Sequence, residues 1–114
     1  MLRELIQIWR KQDMMTKVVE AFGQMLKDDV FVFSNAWEAV SGRQSYEKLR
    51  QPIHDRDKNV NRQEREIRRM LVEHLSLNPG QDASGCLIMM SLIKDAERIG
   101  DYSKNIFDVG SVLK

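Results

Sequence analysis

The sequence contains very little cysteine and proline. Cys86 is the only cysteine among 114 residues, so no disulfide can form within the chain. Its place in the run CLIMMSLI is typical of a small core residue in a reducing compartment. The only prolines are Pro52 and Pro79, and each lies beside a polar break between longer helical patterns. We therefore expect a cytoplasmic protein held together by its core rather than by cross-links.

The chain also lacks a long hydrophobic run and an excess of one charge. Its longest apolar run has eight residues, whereas a membrane-spanning helix needs about 20. Eighteen basic and seventeen acidic residues give a net charge of +1, which argues against a dedicated nucleic-acid binder. The N-terminal stretch MLRELIQIWRK carries charges inside its apolar pattern and has no cleavage-like site, which predicts no signal peptide.

Catalytic motifs are missing as well. The sequence has no Ser, His and acid arrangement, no glycine-rich phosphate loop and no CxxC pair. A carboxylate-bound metal can activate water, but no evident base lies beside an open position. We therefore expect a protein that is not an enzyme.

Apolar residues at helical spacing dominate what is present. The segment from Leu2 to Val40 is predicted to be one long helix, with Asp29 on or beside its inward stripe. We expect Asp29 to be an edge residue rather than a metal ligand, because Asp28 and Lys27 indicate a turn near water. The apolar positions that define this stripe are Leu5, Trp9, Met15, Val18, Phe22, Leu26, Phe33 and Trp37.

Two polar breaks divide the rest of the chain. SGRQS at 41–45 ends the first helix, and a second helix is predicted to begin near Pro52 and to end before NPG at 78–80. Its inward face is predicted to contain Ile53, Asp57, Val60, Asn61, Glu64, Ile67, Leu71 and His74. The fold class is therefore all-α, an antiparallel three-helix bundle in which residues 1–114 form a single domain.

The third helix is predicted to begin near Gln81 or Asp82 and to end near Leu113. It is apolar on more than one side, which predicts burial on several sides. Three glycines within it, Gly85, Gly100 and Gly110, weaken a helix and suggest that a neighbouring helix or ligand approaches closely there.

Two carboxylates continue the inward stripe of the third helix. Glu97 and Asp101 follow Ile93 at spacings of four residues, so their Cβ atoms lie roughly 6 Å apart and the two charges repel. Either a nearby basic side chain or a metal ion that bridges both carboxylates must compensate them. The basic candidates are Lys94, Arg98 and Lys104.

The run DAERIGDYSKNI, from Asp95 to Ile106, resembles the DLERIGDxxxNI segment of the PhoU-like phosphate-uptake regulators, which contains that family's E(D)xxxD metal-binding motif. The resemblance extends over Asp57 to Leu77 and more weakly over the first helix, and it covers one three-helix repeat. The other acidic motif of the repeat has Asp57 here but Asn61 in place of its second acid, and an amide adds no negative charge.

This resemblance implies a metal site and a regulatory role. The implied ligands are Glu97, Asp101, Asp57 and Asn61, and the ion is divalent or ferric: iron, zinc, manganese or magnesium. The implied partner is a phosphate transporter subunit or a phosphate-sensing kinase, contacted in the cytoplasm or at the periphery of the inner membrane. The alternative is a structural helical interaction domain without metal, such as the PhoU-like domain appended to a sodium/phosphate cotransporter.

A homodimer or larger assembly is also expected. The first helix is predicted to be about 58 Å long and the second about 39 Å, so the first extends beyond its partners. The overhang would expose an apolar patch of the kind that monomers avoid, made of Leu2, Leu5, Ile6, Ile8 and Trp9. Relatives usually carry two repeats, and dimerisation would restore that pair.

Overall fold

Three long helices make up the part of the chain that the structure describes. The computed structural model describes residues 1–113, and the side chains of residues 7–12 lie outside that description. The helices are α1 (Leu2–Val40), α2 (Tyr46–Leu77) and α3 (Ala83–Leu113), and the described residues contain no strand. The all-helical class predicted from the sequence is confirmed.

Successive helices run in opposite directions along one another. At one end of the molecule, Val18 of α1 shares an apolar cluster with Leu71 of α2 and Cys86 of α3. At the other end, Ala39 of α1 packs in a cluster with Tyr46 and Phe107. The N-terminal part of α1 therefore lies beside the C-terminal part of α2, and α3 runs in the same direction as α1.

Two separate apolar clusters fill the interior. The cluster towards the turn between α2 and α3 contains Val18, Met25, Val60, Ile67, Leu71, Cys86, Ile93 and Ala96. The cluster towards the turn between α1 and α2 contains Val32, Ala36, Ala39, Tyr46, Leu49, Ile53 and Phe107. On α1 the gap between the clusters falls between Met25 and Val32, where the buried residues are charged.

The second helix begins earlier than predicted. It starts at Tyr46, with Ser45 as the N-cap, whose Oγ accepts a hydrogen bond from the backbone N–H of Lys48 at 3.4 Å. Pro52 lies inside the helix, so the prediction of a start near Pro52 was wrong. The apolar side chains of this first part, Tyr46, Leu49 and Ile53, are all buried. Their burial offsets the cost of an internal proline, which is about 3 kcal/mol.

The inward stripe of α1 differs from the predicted one. Val18 is buried as expected, but Phe33 and Trp37 are 55% and 57% exposed. The buried apolar positions of α1 are Val18, Met25, Val32, Ala36 and Ala39. Met25, Val32 and Ala36 each precede a large residue of the predicted stripe by one position. One residue rotates a helix by roughly 100°, so this part of α1 is turned by that angle from the predicted orientation.

The other two helices follow the predictions in part. On α2, every predicted inward residue is buried except Asn61, which is half-buried. On α3, the prediction of burial on several sides was wrong for this chain alone, since Leu92, Ile99 and Ile106 are exposed. Close approach holds at Gly100 and Gly110, whereas a Cβ on Gly85 would meet nothing within 4 Å.

The exposed surface includes part of the predicted overhang. Leu2, Leu5 and Ile6 are all exposed, while the side chains of Ile8 and Trp9 lie outside the described residues. Within residues 1–113, no helix combines the length and the apolar character needed to cross a membrane.

Candidate functional site

A layer of carboxylates separates the two apolar clusters. Asp28 and Asp29 of α1 and Asp57 of α2 are 1%, 4% and 5% exposed, respectively. Their helices bring them in because each has the same spacing as the adjacent core residues: Asp29 follows Met25 by four residues, and Asp57 follows Ile53 by four. We refer to Asp28, Asp29 and Asp57 as the carboxylate layer. The expectation that Asp28 and Asp29 lie near water was wrong.

Gly100 of α3 lies directly against this layer. A Cβ placed on Gly100 would be 2.6 Å from Asp29 Oδ1 and 3.7 Å from Asp57 Oδ1. Real Cβ atoms do not approach an oxygen that closely, so the absence of a side chain lets α3 pack against the two carboxylates. The glycine inside the ERIGD sequence therefore has a packing role.

Two basic side chains compensate part of the negative charge. Arg56 Nη1 lies 3.1 Å from Asp28 Oδ1, and its guanidinium stacks over the Phe31 ring at 4.2 Å. Lys104 Nζ of α3 lies 3.6 Å from Asp57 Oδ2 and 3.6 Å from Asp101 Oδ1. The ammonium of Lys104 thus bridges a carboxylate on α2 and one on α3.

Several oxygens of the layer are left without a hydrogen-bond donor. Among the described residues, no donor reaches either oxygen of Asp29, Oδ1 of Asp57 or Oδ2 of Asp28. An unsatisfied buried polar group costs about 1–3 kcal/mol. The layer is therefore a destabilising feature of an otherwise apolar interior.

Burial also changes the acidity of two of these groups. The pKa of Asp29 is raised from 3.8 to about 7, first by burial and then by the negative charges of Asp28 and Asp57. Burial raises the pKa of Asp57 too, while the charge of Lys104 acts in the opposite direction. Asp29 therefore takes up a proton near neutral pH.

The four residues implied as metal ligands are distributed unevenly. Asp57 and Asp101 face each other across Lys104. Glu97 is paired with Lys94, with 3.3 Å between Oε2 and Nζ, at a partly exposed position. Asn61 lies one turn beyond Asp57 on α2 and is half-buried. Two of the three basic candidates therefore contact the expected carboxylates, whereas Arg98 lies nearest Asp95, at 3.8 Å.

The oxygen ligands of this region suit a hard cation, but the ammonium group of Lys104 already lies between Asp57 and Asp101. Carboxylate and amide oxygens are suitable ligands for such ions, and Asp57 Oδ1 has no other partner. However, no group of three or more His, Cys, Asp or Glu side chains in the described part of the chain is arranged to hold a metal. The ammonium of Lys104 lies between the two carboxylates that a bridging ion would join.

Sequence reasoning missed the central position of Asp28 and Asp29. The signal for Asp29 was its spacing from Met25 and Val32, at four and three residues, which places all three on one face of α1. The charged stretch LysAspAsp hid that signal, since such stretches are usually solvated.

Two histidine pairs lie outside the layer. His54 Nε2 is 3.0 Å from Asp108 Oδ1, and His74 Nε2 is 3.3 Å from Asp82 Oδ2. His74 is buried, in agreement with its predicted place on the inward face of the second helix. A groove of about 590 Å³ between α1 and α2 opens beside His74, on the far side of an apolar cluster from the carboxylate layer.

One comparison with known proteins gives a match. The family model described as the PhoU domain matches residues 22–109, a span that includes the second half of α1, all of α2 and nearly all of α3. The search of curated proteins gives no match, and neither does the search of solved structures.

Proposed function

Because the chain belongs to the PhoU domain family, we propose that it is a regulatory domain of phosphate uptake that acts by protein contact. The observation that carries this proposal is the extent of the family match, which spans the carboxylate layer and ERIGD together. The partner we propose is a phosphate transporter subunit or the kinase that senses phosphate. We also propose that the protein is cytoplasmic, lies at the periphery of the inner membrane and assembles as a homodimer.

Co-purification tests the proposed contact. The intact chain, expressed with an affinity tag in its own host, should recover a phosphate transporter subunit or its kinase. The amount of partner recovered should differ between cells grown at high and at low phosphate concentration. A matched sample in which the tag is fused to an unrelated helical bundle measures background. Recovery of neither partner under high or low phosphate contradicts the proposal.

We further propose that Glu97, Asp101, Asp57 and Asn61 hold a divalent or ferric ion, namely iron, zinc, manganese or magnesium. What supports this is the oxygen-only donor set and the unpartnered Oδ1 of Asp57. The bound ion would supply the positive charge that Lys104 now supplies between α2 and α3. Lys104 and metal are therefore competitors, because both need Asp57 and Asp101.

This competition gives the metal proposal a specific test. In calorimetric titrations with manganese, Lys104→Gln should bind more tightly than the wild type, by roughly 10-fold or more. Replacing both Glu97 and Asp101 by alanine should abolish binding. Asp95→Ala is the matched control, because Asp95 is exposed on the same helix and lies outside the proposed ligand set. Weaker binding by Lys104→Gln contradicts the competition.

Thermal melts provide a second measurement of the same site. Removing both Glu97 and Asp101 relieves their mutual repulsion but also removes the ion pairs with Lys94 and Lys104, so the metal-free variant should differ little in stability from the wild type. Metal should then raise the melting temperature of the wild type only. A wild type whose melting temperature no metal raises, and which retains no metal by elemental analysis, contradicts metal binding.

A second candidate function is a structural interaction domain without metal. The observation that favours it is that basic side chains already contact the carboxylates, with Lys94 on Glu97 and Lys104 on both Asp57 and Asp101. In that case the double alanine variant loses favourable ion pairs and is modestly destabilised, by less than about 1 kcal/mol per exposed pair. These ion pairs are lost under either candidate, so the response to metal separates the two: metal raises the melting temperature of the wild type only if the site binds it.

A further inference from the structure

Helix α1 carries a second apolar stripe that points away from the bundle. Its members are spaced by four, three, four and three residues, so they form a nearly straight line along the helix. All five are at least 43% exposed, although two of them are large aromatic residues. They are Leu26, Val30, Phe33, Trp37 and Val40.

Helix α3 carries a similar stripe. Ile99 and Ile106 are seven residues apart, which returns to the same side of a helix after two turns, and both are more than half exposed. The full set consists of Ile88, Leu92, Ile99, Ile106 and Val109. The α1 stripe contains no charged residue, whereas Asp95 interrupts the α3 stripe between Leu92 and Ile99 and lies 3.8 Å from Arg98 of the same helix.

The two stripes lie on the same side of the molecule. On α1, Asp28 marks the side that faces α2, because it is bound by Arg56; on α3, Lys104 marks that side, because it is bound to Asp57. Phe33 is five residues after Asp28, and Ile99 is five residues before Lys104. Five residues turn a helix by about 140°, so each stripe points about 140° away from the direction of α2.

Both stripes are therefore turned away from α2 and border the seam between α1 and α3. Direct contact across this seam supports the arrangement, since Val40 Cγ2 lies 3.2 Å from the position of a Cβ on Gly110. We call the two stripes together the outer face.

The area of the outer face is large for a monomer. Its ten side chains expose on the order of 1,000 Å², whereas the largest apolar patch on a typical monomer is about 300–600 Å². The whole chain exposes 7719 Å², against about 6,500 Å² expected for a compact monomer of its mass. The elongated shape, 64 × 18 × 15 Å, accounts for part of that excess. The exposed area of the outer face is itself comparable to the roughly 800 Å² that each partner buries in a standard interface.

We propose that the outer face packs against the outer face of a second copy of this chain across a two-fold axis. A mainly apolar face is best covered by another mainly apolar face, because a charged group buried against its aliphatic and aromatic side chains would lack a counter-charge. An identical face meets this requirement, and homodimer interfaces have the apolar character seen here. The two aromatic side chains, Phe33 and Trp37, are of the kinds that dominate binding energy at such interfaces.

This inference deepens the homodimer proposed above and rests on it, but it assigns the contact to a different surface from the N-terminal overhang. Sedimentation velocity of the purified intact chain tests it. The wild type should be dimeric, and replacing Phe33 and Trp37 by glutamate should raise the dimer dissociation constant by at least about 100-fold. Replacing Ile99 and Ile106 by glutamate should have the same effect from the other helix.

Two control variants separate the possible outcomes. Val72→Glu places the same charge on an exposed apolar position of α2 and should leave the dimer intact. Replacing Leu5 and Ile6 by glutamate disrupts the overhang instead. Circular dichroism should show the wild-type helical content for every variant, since all the replaced side chains are exposed.

The results distinguish an error in the assigned interface from an error in the proposed homodimer. If the wild type is dimeric and remains dimeric after both outer-face replacements, the assigned surface is wrong while the homodimer stands; loss of the dimer only with the Leu5 and Ile6 replacements identifies the overhang instead. If the wild type is monomeric at about 100 μM, a concentration at which a standard interface is saturated, both are wrong.

Discussion

The Asp29→Asn substitution isolates the charge of the least compensated group in the core. Asn has the shape of Asp but no charge, and its amide N–H groups can donate to a carboxylate. Asp57 Oδ1, which has no donor in the wild type, lies close to the same point beside Gly100. The substitution therefore removes a buried negative charge and offers a donor to an unsatisfied oxygen.

The magnitude follows from the pKa of Asp29, which rises from 3.8 to about 7 on folding. A raised carboxyl pKa means that the folded state holds its proton more tightly, so folding loses stability as pH rises through the window from about 4 to 7. At about 1.4 kcal/mol per unit, the full loss is about 4 kcal/mol. About 2 to 3 kcal/mol of it falls between pH 5 and pH 8.

Urea unfolding of the wild type and Asp29→Asn at both pH values measures this term. Titrating groups remote from Asp29 contribute equally to both proteins, so the difference between them reports Asp29 and its coupling to Asp28 and Asp57. The stability advantage of Asp29→Asn should grow by about 2 to 3 kcal/mol from pH 5 to pH 8, which is on the order of 10 °C in melting temperature for a domain of this size. A difference that stays constant with pH refutes the argument that Asp29 titrates in the folded core.

Two further substitutions at glycines should have opposite signs. Gly100→Ala places a Cβ 2.6 Å from Asp29 Oδ1 and should destabilise the protein by about 1–3 kcal/mol in urea unfolding, and a neutral effect contradicts the packing role of Gly100. Gly23→Ala, within α1 and with nothing within 4 Å of its Cβ position, should stabilise it by up to about 1 kcal/mol, and destabilisation there contradicts the open space around Gly23.

The sequence was sufficient for the fold class because local signals agreed with one another. Long stretches without proline, the SGRQS break and the NPG break all predict helices separated by short turns, and the structure has three helices with those turns. The start of α2 could not be predicted locally. Pro52 is a helix-stop signal in isolation, and only the packing of Tyr46 and Leu49 against Phe107 outweighs it.

The orientation of α1 could not be predicted from periodicity, because the helix has two apolar stripes with the same spacing. The stripe with the larger residues, including Phe33 and Trp37, was assigned to the interior, yet Val32 and Ala36 occupy it. Val32 and Ala36 are smaller than Phe33 and Trp37, so with them inside, α1 packs more closely against the other helices. A hydrophobic pattern identifies a helix. When the helix has two apolar faces, the pattern cannot show which of them packs against the other helices and which is exposed.

The candidate site was predicted in part. The sequence placed Asp57, Glu97 and Asp101 on inward or nearby positions, and it identified Lys104 as a candidate partner for Asp101, which the ion pair at 3.6 Å bears out. It could not show that Lys104 also reaches Asp57, since that contact joins residues 47 positions apart from two helices. Pairings between helices depend on their mutual rotation, which no local pattern contains.

The carboxylate layer also fixes how the helices align along their axes. The apolar clusters on either side consist largely of aliphatic residues, and contacts among such residues tolerate exchange better than a buried polar layer does. The layer does not tolerate a slide of one helical turn, because a Cβ opposite Asp29 would clash with it, and Gly100 is the only residue without a Cβ within one helical turn of that point on α3. Sliding α3 by four residues would present Ala96 or Lys104 instead, and each would place a Cβ against Asp29 Oδ1. A buried polar layer that costs stability thus gives a single alignment to three long helices, as polar residues do in coiled coils.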